Sequence, residues 1–190
     1  MNNSKYLFLI IIFSCTNTKK IDLNSDLFSS KSSESFLQSS GEDLYISWTE
    51  QKLDSNYLYN SRFNGKSWGK KELITKGKDW FVNWADFPSI SHNNISNTFF
   101  SFNLQKSSEE TFSYDVNYFF KAKEWVDMKK IHSDNTFTEH GFVSVTPYEE
   151  GFIASWLDGR NTVPSSDGHA KGAMSLRSAE IDKEGKIINE

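Results

Sequence analysis

From residue 36 onward, apolar residues fall in short runs that alternate with polar ones and are separated by turn-forming pairs. Leu44–Thr49, Asn56–Phe63, Thr98–Phe102, Tyr114–Phe120, Gly151–Trp156 and Ala173–Ala179 each have the length and the β-branched or aromatic content of a strand. Asn64-Gly65, Asp158-Gly159, Asp167-Gly168 and Glu184-Gly185 mark turns between or beside them. No window of ten or more residues carries apolar positions at helical spacing, so the pattern predicts an all-β chain.

The runs recur as groups. Asp43–Trp48, Tyr57–Phe63 and Gly65–Trp68 form the first. Phe87–Ile90, Asn97–Phe102, Tyr114–Phe120 and Lys121–Trp125 form the second. His140–Val145, Gly151–Trp156, Ala173–Ala179 and Asp182–Ile187 form the third. Trp48, Phe102 and Trp156 hold matching places, each 54 residues from the next, and Tyr57, Tyr114 and Met174 open the strand that follows. A period near 50 with about four short strands per unit predicts a β-propeller of four-stranded blades, because one such sheet leaves apolar faces that a neighbour must cover. About three blades fit into residues 36–190, whereas closed propellers use roughly four to eight. The expectation is therefore an open or incomplete arc, read as an N-terminal fragment of a longer propeller. Aromatics make up 15% of the chain, 16 of them Phe, as a packed β-rich body requires.

The N-terminus has a different character. Leu7–Phe13 is a seven-residue apolar run after Lys5, too short to cross a bilayer and of signal-peptide length. Ile12-Phe13-Ser14-Cys15 resembles the bacterial lipobox, which implies a signal peptide over residues 1–14 and acylation of Cys15. That Cys is the chain's single one. Residues 15–35 are polar and Ser/Asn-rich and read as a flexible tether, with Ile21, Leu23, Leu27 and Phe28 as anchors onto the body. The expected location is the cell envelope, lipid-anchored at the outer membrane of a Gram-negative bacterium. A formal net charge of −4 with no basic stripe argues against nucleic acid as a partner.

Ser61-Arg62-Phe63-Asn64-Gly65-Lys66-Ser67-Trp68 resembles the Asp-box hairpin of the sialidase superfamily, keeping Ser61, Gly65 and Trp68 at the motif's spacing with Phe63 in place of its Asp. Trp80–Ile90, Thr138–Val145 and Ala154–Arg160 are similar to stretches of exported exo-sialidase-like bacterial proteins. The resemblance covers residues 36–190. It implies a propeller and, in active members, an arginine triad for a sugar carboxylate, a Tyr/Glu nucleophile pair and an Asp acid/base. The only arginines here are Arg62, Arg160 and Arg177, and Arg62 sits in the hairpin, so the triad is not complete.

Candidate chemistry lies where strands meet loops. Asp86 precedes the innermost strand of the second group, and Glu139 and His140 that of the third; Asp158 and Arg160 follow an apolar strand and enter the loop that holds Pro164, Asp167 and His169. Such residues could offer carboxylates for glycoside acid/base work and a guanidinium for an acidic substrate. They equally fit ordinary strand-end turns in which Arg160 pairs with an acid. The histidines His92, His132, His140 and His169 show no HxH or HExxH spacing, so neither a metal nor a cofactor is expected. Three functions fit: a surface carbohydrate-directed protein acting as a glycoside hydrolase on an acidic glycan, a noncatalytic propeller binding glycan or protein through Trp80, Trp84 and Trp156, and a truncated nonfunctional product.

Overall fold

The computed structural model describes residues 25–163 and 171–190. After a short 3-10 turn at Ser25–Leu27, twelve strands form three four-stranded antiparallel sheets, each a meander in chain order. The first holds β1 (Ser32–Ser40), β2 (Asp43–Lys52), β3 (Ser55–Phe63) and β4 (Glu72–Gly77). The second holds β5 (Ile90–Asn93), β6 (Thr98–Lys106), β7 (Tyr114–Lys121) and β8 (Trp125–Lys130). The third holds β9 (His140–Tyr148), β10 (Gly151–Asp158), β11 (Ser175–Ile181) and β12 (Ile187–Asn189). The leading strands are neighbours: β1 lies against β5, and β5 against β9.

The three aromatics spaced 54 residues apart are buried on different faces, Phe102 and Trp156 meeting across one core and Trp48 lying on the far face of the first sheet. Trp48, Phe102 and Trp156 lie on the second strand of their respective sheets and are all buried. Phe100, Phe102, Tyr118 and Phe120 meet Phe152, Ala154, Trp156 and Ile181 in one core between the second and third sheets. Leu58, Ile74, Ile90 and Phe119 form a core between the first and second. On the far face of the first sheet Trp48 packs with Ile46, Tyr59 and Leu27, and Phe28 meets its ring edge-on at 5.1 Å. Leu27 and Phe28 thus anchor onto the body, as the sequence suggested.

One feature of the first sheet differs from expectation, and its hairpin turn falls at Asn64-Gly65 as the sequence marked it. β1 begins at Ser32, so the sheet takes in residues that the composition placed in the tether. Its sequence, Ser-Ser-Glu-Ser-Phe-Leu-Gln-Ser-Ser, has little apolar content because the strand is mostly exposed; pairing with β2 holds it in place. The hairpin after β3 is closed by Asn64, whose Oδ1 accepts from the backbone of Lys66 and Ser67, with Gly65 at φ +85°. Asp182 does the same in the third sheet, accepting from Glu184 and Lys186 beside Gly185 at φ +82°.

A second repeat is visible only in three dimensions. The pairing of β1 with β2 shifts register between Ser33 and Phe36, opposite Trp48, and β1 carries Glu34 at φ +45° there. The pairing of β9 with β10 shifts likewise, opposite Trp156, and β9 carries Phe142 at φ +54°. Bulges of this kind insert one residue and re-aim the side chains beside them.

Candidate functional site

The sequence-predicted residues Asp86, Glu139, His140, Asp158 and Arg160 converge on the start of β9 and the end of β10. Asp158 pairs in register with His140, and Gly159 N–H donates to the Glu139 carbonyl at 2.8 Å. Tyr114, at the start of β7, joins two halves of the neighbourhood. Its hydroxyl lies 3.1 Å from Asp86 Oδ2 and 2.8 Å from Glu139 Oε1, and its carbonyl lies 3.1 Å from His140 Nδ1.

In the first half, Asp86 sits on a tight turn in which Asn83 Oδ1 accepts from the backbone of Ala85 and Asp86. It is 2% exposed and lines a pocket of about 220 Å3 with Phe36, Phe87, Ser89, Phe142 and Val143. Burial pushes its carboxyl up to about 6, against hydrogen bonds from Phe142 N–H and Tyr114 that favour the anion. Burial and the Asp86 charge push Tyr114 far above the ordinary phenol value. Gly141 is required here by close approach: a Cβ would stand 2.1 Å from Asp86 Oδ2 and 2.8 Å from the Tyr114 ring. Trp84, two residues before Asp86, is 87% exposed.

The sign of the Asp86 effect is fixed. A folded carboxyl raised from 3.8 to about 6 binds its proton more tightly than the unfolded chain does, so stability falls as pH rises between those values. Asp86→Asn should therefore gain on the native protein between pH 4 and 6 and hold that gain above it, by at most about 3 kcal/mol for a shift of this size. Urea denaturation at pH 4 and pH 7 reads the difference; equal wild-type and variant curves at both would contradict it.

The second half is a buried charge cluster. Arg160 Nε donates to Asp158 Oδ1 at 2.8 Å, and its Nη2 to Asp158 Oδ2 at 2.7 Å and Glu190 Oε1 at 2.9 Å; Asp134 Oδ1 is 3.3 Å from the same nitrogen. Asp158 is fully buried, and Trp156 Nε1 donates to it at 2.9 Å. Burial raises the Asp158 carboxyl, but Arg160 and Trp156 outweigh that and hold it below the carboxylate range. The first sheet repeats the arrangement: Trp48 Nε1 donates to buried Glu50, which Lys71 and Lys52 neutralise, and hydrogen bonds from Lys71, Trp48 and Lys52 overcome burial to hold Glu50 near 2. Asp158 and Arg160 are thus engaged with one another in the manner of a sheet-end pair.

The sequence reading missed four members of this neighbourhood. Tyr114 was seen only as a strand-opening aromatic. Asp115 follows it, and His132 and Asp134 come from the segment after β8. The His132 and His140 rings stack at 3.9 Å, 7° from parallel. His132 Nδ1 lies 2.7 Å from Asp134 Oδ1, and Asp134 is further held by Thr136. No local spacing announces this set, because the Tyr114-Asp115 pair and the His132/Asp134 pair are 17 residues apart and only folding joins them. Arg62 is exposed and pairs with Asp43. Cys15, Pro164, Asp167 and His169 lie outside the described residues; among the described residues no helix is long and apolar enough to cross a membrane.

Comparisons of the chain with protein-family models, with curated proteins and with solved structures find no match in any of the three.

Proposed function

We propose that the three sheets are propeller blades of sialidase-like organisation, and that the rim formed at their leading strands binds a carbohydrate, with Asp86 as proton donor for glycoside cleavage. The blade reading is supported by the neighbouring leading strands β1, β5 and β9 and by the matching indole–carboxylate pairs Trp48–Glu50 and Trp156–Asp158 on the second strands of the first and third sheets. A lipid on Cys15 would hold this rim at the cell envelope.

One observation carries the chemistry. The Tyr114 hydroxyl has one proton and lies between two carboxyl groups, Asp86 and Glu139. One proton cannot serve both anions, so the arrangement is satisfied when one carboxyl is itself protonated. Asp86, raised to about 6, is that group. A carboxyl with a raised pKa beside a second carboxyl is what glycoside hydrolysis needs, and the two meet on one hydroxyl, at 3.1 and 2.8 Å. Tyr114 is buried and its phenol is far from ionising, so it acts as a positioning residue. Exposed Trp84 offers an aromatic face for a sugar ring beside the pocket. Arg160 is already held by Asp158 and Glu190, so the acidic-glycan part of the expectation has no free guanidinium in its support.

The test screens the full chain on a glycan array and then on chromogenic glycosides of whichever sugars bind. Trp84→Ala should abolish binding. Asp86→Asn should keep binding and lower hydrolysis by about 10²–10⁴-fold, the usual contribution of a positioned acid. Binding that depends on Trp84 without any hydrolysis would support the noncatalytic reading, which the high exposure of Trp84 favours. No glycan bound by the wild type would end both.

A further inference from the structure

We propose that Asp115, His132 and His140 form a binding site for a single first-row divalent cation, with zinc as the representative ion, in a place where the sequence predicted no metal.

The first argument is unmet valence. Nε2 of His132 and Oδ1 of Asp115 are buried and have no hydrogen-bond partner. Both imidazole side chains are fully buried. In each ring Nδ1 faces an oxygen acceptor: the Asp134 carboxylate for His132, the Tyr114 carbonyl for His140. His132, donating through Nδ1, presents a bare lone pair at Nε2 toward Asp115, and this is how metal-binding histidines are oriented by a carboxylate behind them, whereas His140 Nε2 lies 3.2 Å from Asp134 Oδ1 and 3.7 Å from Asp158 Oδ1. His132 Nε2 and Asp115 Oδ1 are then two acceptors 3.5 Å apart with no proton between them. Ligands bound about 2.0–2.1 Å from zinc stand roughly 3.3 Å apart in a tetrahedron, so an ion fits between these atoms with little movement.

The second argument is charge. Among the described residues, the carboxylates of Asp115, Asp134, Asp158 and Glu190 meet in this cluster, and the cations facing them are Arg160 and Lys130. These four carboxylates face two cations in a largely buried place, and such charges are stable only when paired or bound to a metal. One divalent ion restores the balance. An imidazole and carboxylate donor set suits zinc and its neighbours better than calcium or magnesium.

His140 completes the site by moving. Its Nδ1 is 3.8 Å from Asp115 Oδ1, but the ring is stacked on His132 and nearly parallel to it. Two parallel stacked rings cannot both aim a lone pair at one ion. Binding therefore turns His140 out of the stack and away from the Tyr114 carbonyl, while His132 stays fixed by Asp134. This movement is a signature that a merely structural stack would not show.

The full chain, stripped with a chelator and dialysed against Zn2+, should take up one ion per molecule. His132→Gln and Asp115→Asn should each weaken binding by at least about tenfold, and Asp134→Asn, which loosens His132 from behind, by about 10–100-fold. His92→Gln and His169→Ala should bind as the wild type does. Ring 15N resonances of His132 and His140 in the wild type should both shift on Zn2+ addition, a readout that does not require the variants to fold. Stoichiometric binding unaffected by His132→Gln, loss of binding in His169→Ala, no uptake by the wild type, or unmoved His132 and His140 resonances would each overturn the site.

Discussion

Asp158→Ala should cost about 3–5 kcal/mol, the range for removing one partner of a buried ion pair. The carboxylate is fully buried and accepts from both the Nε and Nη2 of Arg160, from the Arg160 backbone and from the Trp156 indole. Without it the guanidinium, 14% exposed, keeps only Glu190 and a longer contact to Asp134. The indole N–H of fully buried Trp156 loses its acceptor. Replacing Arg160 as well, in Asp158→Ala/Arg160→Met, should recover part of the loss, because the penalty belongs chiefly to the unpaired cation. Chemical denaturation of the two singles and the double gives the coupling; an additive cycle, or a single-variant loss under about 1 kcal/mol, would show that the pair is not what holds this end of the third sheet.

Trp48→Ala should cost a similar amount, about 3–5 kcal/mol, as for other large aromatics removed from a core. Its ring is fully buried, is met edge-on by Phe28, packs against Tyr59 and lies under the Lys71 ammonium, and its N–H satisfies Glu50. The alanine variant would leave a cavity under Leu27 and Phe28, so the N-terminal anchor should loosen with it. Limited proteolysis should show earlier cleavage near residues 25–30 than in the wild type. Trp48→Phe keeps most of the apolar contact and leaves Glu50 with Lys71, Lys52 and Ser32, so it should cost clearly less. Equal losses for the two substitutions would mean that the N–H, and not the buried area, is the larger contribution.

These two predictions rest on the same local device, and the sequence shows half of it. Trp48-Thr49-Glu50 and Trp156-Leu157-Asp158 are the same pattern, aromatic then acid two residues later on one face of a strand, so the acid can reach the indole N–H. The middle sheet has Phe102-Asn103-Leu104 instead; phenylalanine has no N–H to satisfy, and Leu104 is correspondingly fully buried. The cations that neutralise the acids are less regular. Arg160 follows Asp158 closely, but Lys71 reaches Glu50 from 21 residues away, and only folding brings it there.

Strand content was legible in the same uneven way. The second and third strands of each sheet bury aromatic and branched side chains and could be read directly from the pattern. β1, β4, β8 and β12 were not resolved as strands, because a largely exposed strand is held by ladder hydrogen bonds, which every residue type can make. The bulges at Glu34 and Phe142 were also beyond the pattern. Neither residue is a type that favours positive φ, and both are held there by pairing with β2 and β10. The bulge at Phe142 has a consequence for chemistry, since Phe142 N–H reaches Asp86 beside the Tyr114 hydroxyl.

The order of apolar and polar residues was sufficient by itself to make this an all-β chain with three successive groups of strands, because side-chain alternation and short apolar runs are local. It also named Asp86, Glu139, His140, Asp158 and Arg160, since polar residues at strand ends stand out against their apolar neighbours. Only the tertiary structure decided what those residues do. It put Tyr114 between Asp86 and Glu139, engaged Arg160 with carboxylates, and stacked His132 on His140 within reach of Asp115. The protonation and ligand chemistry of a buried group is set by its nearest atoms in space, and here those atoms come from strands and loops far apart along the chain.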